Sequence, residues 1–341
     1  MKMGKTNFLK ADWFIGLVVS LSVLVAGNGD LLQSLERKAY DLGVGMTDRM
    51  PSDKVAVIAI DKQSIDNIGR WPWSREIQAE MVEKLAAAKA RVIATTIFVS
   101  EPQRDPGLAY INRLIDIFNK AVGEPPAEAA EGAAAPAPAA AIDGVLGQIG
   151  PVLLEAEQKL NTDRRLAAAY AAAGNVTLPM LFHLGEPRGR PDKELPDYVK
   201  KNAVKLAGGE WPPLPTSDVE ISVIDILGEN AAAIGHLNNT PDVDGGIRTE
   251  ALVLNHFDKT FPSLSLLAAA KSLNLTPADI QVIGGDSVRL GRLKIGVDPD
   301  TRMYTFFYGD RNGLPPFQVD SFFDVRTGKS PYEKYRDKIV L

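Results

Sequence analysis

The sequence predicts an α/β fold: a mostly parallel central sheet flanked by helices, with an antiparallel extension, preceded by one N-terminal transmembrane helix. Three observations carry this. An uncharged run, Trp13–Gly29, follows Lys2, Lys5 and Lys10. Two β-branched runs, 55–61 and 91–99, bracket an amphipathic stretch, which is the strand–helix–strand pattern of a parallel pair. Beyond residue 230 the apolar residues fall in short runs separated by Gly- and Asp-rich turns, the pattern of hairpins.

Taken in order, the uncharged run is about 25 Å long as a helix, the short end of a bilayer crossing. Its basic flank suits an uncleaved signal anchor with Trp13 at the interface. A signal peptide cleaved near Val25-Ala26-Gly27 has the same pattern, and a buried core helix is the third reading. Both export readings carry the rest of the chain out of the cytoplasm. In 31–42, Leu31, Leu35, Ala39 and Leu42 share a stripe. That is a stalk helix, through which two copies can pair, or the first helix of the domain.

Pro51-Ser52-Asp53 turns the chain into the first strand, 55–61. Ser74 is an N-cap candidate for a helix over 75–89, where Ile77, Met81, Val82 and Leu85 make one face. Strands 55–61 and 91–99 are expected to pair directly. Residues 121–141, alanine-rich with Pro125, Pro126, Pro136 and Pro138, are expected to form a disordered insertion. A helix over 152–173 and a strand over 176–182 add a further step to the sheet, and 185–217 reads as a long surface loop. Residues 233–237 and 247–254 flank Pro241–Gly246 as a hairpin. A short helix over 262–273 and strands near 288–295 and 303–308 follow. Lys338-Ile-Val-Leu341 reads as the start of a strand that runs on. The expected division is a cytoplasmic tail over 1–12, an anchor over 13–29 and one exported domain over 30–341.

The chain's 341 residues include 38 Lys+Arg against 43 Asp+Glu, a net charge of -5. That gives no global field for nucleic acid. Cysteine is absent, which excludes disulfides, thiolate nucleophiles and Cys-based metal sites. His183, His236 and His256 lack metal-ligand spacing. Neither a Walker loop, a Gly-x-Ser-x-Gly elbow nor a kinase signature occurs, and Gly144-x-x-Gly147-x-x-Gly150 has the wrong spacing for a dinucleotide turn. Asp242-x-Asp244-Gly245 lacks the other ligands of an EF-hand and reads as a turn. No cofactor and no metal is expected.

The dense cluster is 60–75. Asp61 ends a parallel strand, where open α/β sheets bind ligands. Trp71-Pro72-Trp73, with Arg70 and Arg75 on either side, can stack on and pair with an anionic or aromatic ligand. The competing reading is structural: Trp-Pro-Trp plugs the strand–helix junction, and Asp61 accepts bonds from loop amides. Asp61 with Asp105 or Glu101 is the carboxylate set that a hydrolase or transferase would use.

These residues resemble a known family. Tyr40-Asp41, Val55–Asp61, Ser64, Ile68-Gly69-Arg70-Trp71-Pro72-Trp73-Ser74-Arg75 and Phe98-Val99-Ser100-Glu101-Pro102 are similar to the opening of the type-two CHASE domain, the cyclase/histidine-kinase-associated sensory extracellular domain of bacterial receptors. The match continues through Asp163–Ala167, Gly174-Asn175-Val176, Gly235-His236-Leu237-Asn238, Asp242-x-Asp244-Gly245-x-x-Arg248, Pro262-Ser263-Leu264, Gly328 and Lys338–Leu341. Residues 121–141 and 185–217 depart from the pattern as insertions.

The resemblance implies a sensory domain in the periplasm, held by the inner membrane. It would bind a small-molecule or periplasmic signal and regulate a cytoplasmic output domain outside this chain. A Ser/Thr protein kinase is the favoured output, and a nucleotide or diguanylate cyclase the next. No catalytic residue and no nucleic-acid partner is implied. Asp61, Ser64, Trp71, Trp73, Arg75 and Glu101 are the candidate ligand-binding residues. The alternatives are a secreted α/β hydrolase or transferase using Asp61, and a scaffold that dimerises through the stalk.

Overall fold

The computed structural model describes residues 12–27, 30–103, 105–123, 137–189, 194–310 and 312–341. The chain divides into two compact units, one of 1–51 with 306–316 and one of 52–305 with 317–341.

The first unit is built on α1 (Asp12–Gly27) and α2 (Asp30–Gly45). After Asp12, α1 carries no charge, and it exposes Trp13, Ile15, Leu17, Val18, Val19 and Leu21. It is 16 residues long, and among the described residues no helix is long and apolar enough to cross a membrane. The Arg49 guanidinium lies 5.7 Å over the Phe306 ring in the same unit.

In the second unit β1 (Val55–Ala59) leads into α3 (Lys62–Ile68), α4 (Arg75–Ala87) and β2 (Val92–Ala94). Then come α5 (Pro106–Gly123), α6 (Ala137–Leu160), α7 (Thr162–Ala173) and β3 (Val176–Leu184). The chain continues through α8 (Asp197–Lys200), β4 (Lys205–Gly209), β5 (Pro215–Ile221), α9 (Asp225–Asn230), β6 (Ala233–His236), β7 (Thr249–Ala251), β8 (Val253–His256), β9 (Lys259–Pro262) and α10 (Leu264–Ser272). Four short strands follow, β10 (Ile280–Gly284), β11 (Ser287–Leu290), β12 (Leu293–Gly296) and β13 (Arg302–Tyr304). The chain returns with β14 (Gln318–Ser321), α11 (Phe322–Arg326) and β15 (Ile339–Val340).

The main sheet is mixed, in the order β14-β1-β15-β2-β3-β5-β8-β9, with β6 also paired to β3. Its heart is parallel: β14, β1, β15, β2, β3 and β6 all run one way. Beyond β3 the pairing turns antiparallel with β5, and β8–β9 is a hairpin. Both faces are covered, which is why the parallel strands read as unbroken apolar runs. Within β2, Ile93 faces a core that includes Ala79 and Leu85 of α4 and Leu166 of α7. Val92 and Ala94 face Ala268 of α10. The other side of α10 packs Leu266, Leu267 and Ala270 against a second sheet, β12-β11-β10-β4.

Four expectations need correction. Strands β1 and β2 do not pair. β15 lies between them, parallel to both, with Val340 opposite Ala56 and Ile93. Apolar period marks a strand, but nothing local marks its neighbour. Second, 233–254 is not a hairpin. The intervening loop closes on itself, Asp242 N–H donating to the Gly246 carbonyl at 2.8 Å and Arg248 bridging Asp242 and Asp244. That frees β6 to run parallel to β3, while β7 pairs with β13 and β8 with β9. Third, 124–136 lie outside the described residues, but 121–123 end α5 and 137–141 begin α6, whose interior holds Pro151. The expected single helix over 152–173 breaks at Asn161, which caps α7 by accepting from Arg164 N–H at 3.2 Å. Fourth, the expected loop 185–217 holds α8, β4 and the start of β5.

Candidate functional site

Asp61 follows β1 and caps α3. Its Oδ1 accepts from the Ser64 amide at 2.8 Å, the Ser64 hydroxyl at 2.6 Å and the Ser321 hydroxyl at 2.9 Å. Ser64 is fully buried, and its hydroxyl accepts from the Phe323 amide at 3.0 Å. Burial works to raise the Asp61 pKa, but the Ser64 and Ser321 bonds outweigh it and hold the carboxyl below its ordinary 3.8. Such a group is a permanent anion at neutral pH. It ties β1, α3 and the β14–α11 junction together.

Helix α3 ends at Gly69, whose φ of 115° lies where a side chain is strained. This turn lets the Gly69 carbonyl accept from Trp73 Nε1 at 2.7 Å. The Trp71–Pro72 peptide is cis. Trp73 is buried, with Trp71 edge-on at 5.2 Å between centroids and Phe322 tilted at 4.9 Å on its other side. Trp71 is only half-buried.

Ser74 caps α4, and Arg75 begins it. The Arg75 side chain, 11% exposed, donates through Nε to Asp163 Oδ1 at 3.2 Å and through Nη2 to the Glu101 carbonyl at 3.1 Å. The Arg75 amide donates to Gln103 Oε1 at 2.7 Å, and the Gln103 amide donates to Asp163 Oδ2 at 2.7 Å. One network therefore joins the first turns of α4 and α7 to the 101–103 segment. The Glu101 carboxylate itself is exposed. Asp105 accepts from the Gly107 and Leu108 amides at 2.7 and 3.3 Å, at the start of α5.

Trp71, Trp73, Arg75 and Glu101 line one cleft of about 840 Å³, open at the carboxyl edge of β1 and β2, with Ile60 and Thr96–Phe98 along its walls. The structure thus brings four of the six candidates together. Asp61 and Ser64 lie outside its lining, where they brace the wall.

The family model of the CHASE2 domain matches residues 15–341. The chain belongs to the CHASE2 domain family. CHASE2 domains are sensory extracellular domains of signalling receptors. No curated protein and no solved structure matches the chain.

In this CHASE2 domain, sequence reasoning passed over Asp163, Gln103, Ser321 and Gln78 as site residues. Asp163 lies 88 positions from Arg75 and Ser321 lies 260 from Asp61, so no local spacing could find them. The usable signal was charge arithmetic. An arginine opening a buried helix needs a carboxylate, and Asp163 sits in the first turn of another helix.

Proposed function

We propose that this CHASE2 domain is the extracytoplasmic input module of a bacterial transmembrane receptor. It binds a small signal in the Trp71–Trp73–Arg75–Glu101 cleft and regulates a cytoplasmic output domain. A Ser/Thr protein kinase is the first choice for that output, a nucleotide or diguanylate cyclase the second. The observation that carries the reading is the cleft itself. Its size suits a small molecule, and its place beyond the carboxyl ends of parallel strands is where open α/β sheets bind ligands. In this reading α1 anchors the chain in the inner membrane with 1–12 inside and the domain in the periplasm. Leu32, Leu35, Ala39, Leu42 and Met46 follow the 3–4 spacing of a coiled-coil seam, which supports a homodimer through α2.

A ligand here transmits only its differential affinity for two states, typically about 1–3 kcal/mol. Thermal shift of the full chain against a metabolite library tests the reading. A stabilising compound that is not consumed, and whose effect is lost in Trp73→Ala, is the expected result. A hit that is turned over, or a library without a single Trp73-dependent hit, removes it.

A further inference from the structure

We propose that the Trp71–Glu101 cleft takes a small organic cation, a primary ammonium on an apolar or aromatic body. The two arginines of the sequence pointed instead to an anion. The inference rests on the reading that this cleft is the ligand site, and it goes further by fixing the ligand's charge.

Arg75 is already neutralised. Its guanidinium is nearly buried against Asp163, whose second oxygen is taken by the Gln103 amide. A paired, desolvated guanidinium offers little to a second carboxylate. Arg70 does not line the cleft.

What remains is negative. The Glu101 residue is exposed, and among the described residues its carboxylate makes no hydrogen bond or ion pair, while its backbone carbonyl accepts from Arg75. The Ser100–Pro102 wall also borders a second cleft of about 910 Å³, lined by Asp218, Glu220 and Asp225. Among the described residues Arg75 is the one lysine or arginine in the lining of the aromatic cleft, and the acidic cleft has none. Among the described lining residues the carboxylates outnumber the basic groups, which favours a cation at the shared wall.

The third observation points at a ligand directly. Gln78 is largely buried on α4, its carboxamide reaches the open cleft, and that carboxamide makes no hydrogen bond among the described residues. A carboxamide facing open space is free to bond whatever enters the cleft. Its carbonyl oxygen can accept from an ammonium N–H, as can Glu101. The half-buried Trp71 ring supplies a face for the cation and its apolar body.

The test is titration of the full chain, by calorimetry and tryptophan fluorescence, with tyramine, phenethylamine and putrescine. 4-Hydroxyphenylacetate and phenylacetate serve as charge-reversed counterparts. The expected result is binding of at least one amine, with fluorescence quenching, and none of either carboxylate. Glu101→Gln should weaken that amine roughly tenfold or more. Gln78→Met should weaken it as well while leaving the melting temperature of the ligand-free protein no lower. A glutamine with only a structural role would not give that combination. Equal or tighter binding of the carboxylates overturns the charge inference and leaves the sensor reading in place. Failure of every amine overturns it too. In that case a Trp73-dependent hit from the metabolite library keeps the cleft as a ligand site, and its absence removes both.

Discussion

Asp61 draws three donors onto one oxygen, and two of them are hydroxyls 257 positions apart in the chain. Asp61→Ala removes the α3 cap and leaves the Ser64 and Ser321 hydroxyls, 3.0 Å apart, with only each other as acceptor. The expected loss is about 1–3 kcal/mol, read by urea denaturation. A variant as stable as the parent would show that the cap is dispensable. His236 is the opposite case. It is buried on β6 with neither ring nitrogen bonded among the described residues, and burial pushes its pKa from 6.5 down to about 3. Between those values the unfolded chain binds the proton and the folded chain does not. Stability is therefore full above pH 6.5 and falls by about 1.4 kcal/mol per pH unit on acidification. Asp61 acts in the same direction, but only below its ordinary 3.8. Denaturation between pH 7.5 and 5 should show the His236 slope, and His236→Leu should flatten it; an unchanged slope assigns the acid lability elsewhere.

Among the elements, α5 and α6 are where the sequence was least legible. Alanine, glycine and proline blurred the helical period, and the glycine triplet was weighed only as a nucleotide motif. Gly150 sits buried on α6 against α5, where a Cβ would lie 2.8 Å from Phe118 Cζ. Gly150→Val should push the Phe118 ring out of its place between the helices, visible as a lower melting temperature and faster amide exchange around Phe118. The terminal strand carries a sharper test. Val340 is 2% exposed between β1 and β2. Val340→Asp places a charge without a partner in the middle of the parallel sheet, with an expected loss of at least about 3 kcal/mol. A soluble, cooperatively melting Val340→Asp protein would mean that β1 and β2 hold together without β15.

For the molecule as a whole, among the described residues every buried apolar residue falls between Ala56 and Val340. A chain beginning at Ser52 should therefore keep a single cooperative thermal transition, within a few degrees of the full chain by calorimetry. Loss of that transition would give the first unit a share in the core. The sequence by itself determined the type of its most strongly periodic segments. Residues 55–61, 75–89 and 176–182 announced their type, because a period of two or 3.6 is a local property of burial on one face. It also determined the 60–75 cluster that lines the cleft, because a strand end, a turn and a helix start are contiguous in the chain. Only the tertiary structure decided that β15 separates β1 from β2, that β6 runs with β3, and that Arg75 is neutralised by Asp163. Each of these is a contact between distant segments, chosen by the summed burial and charge balance of the whole sheet, and no window of the sequence contains both partners.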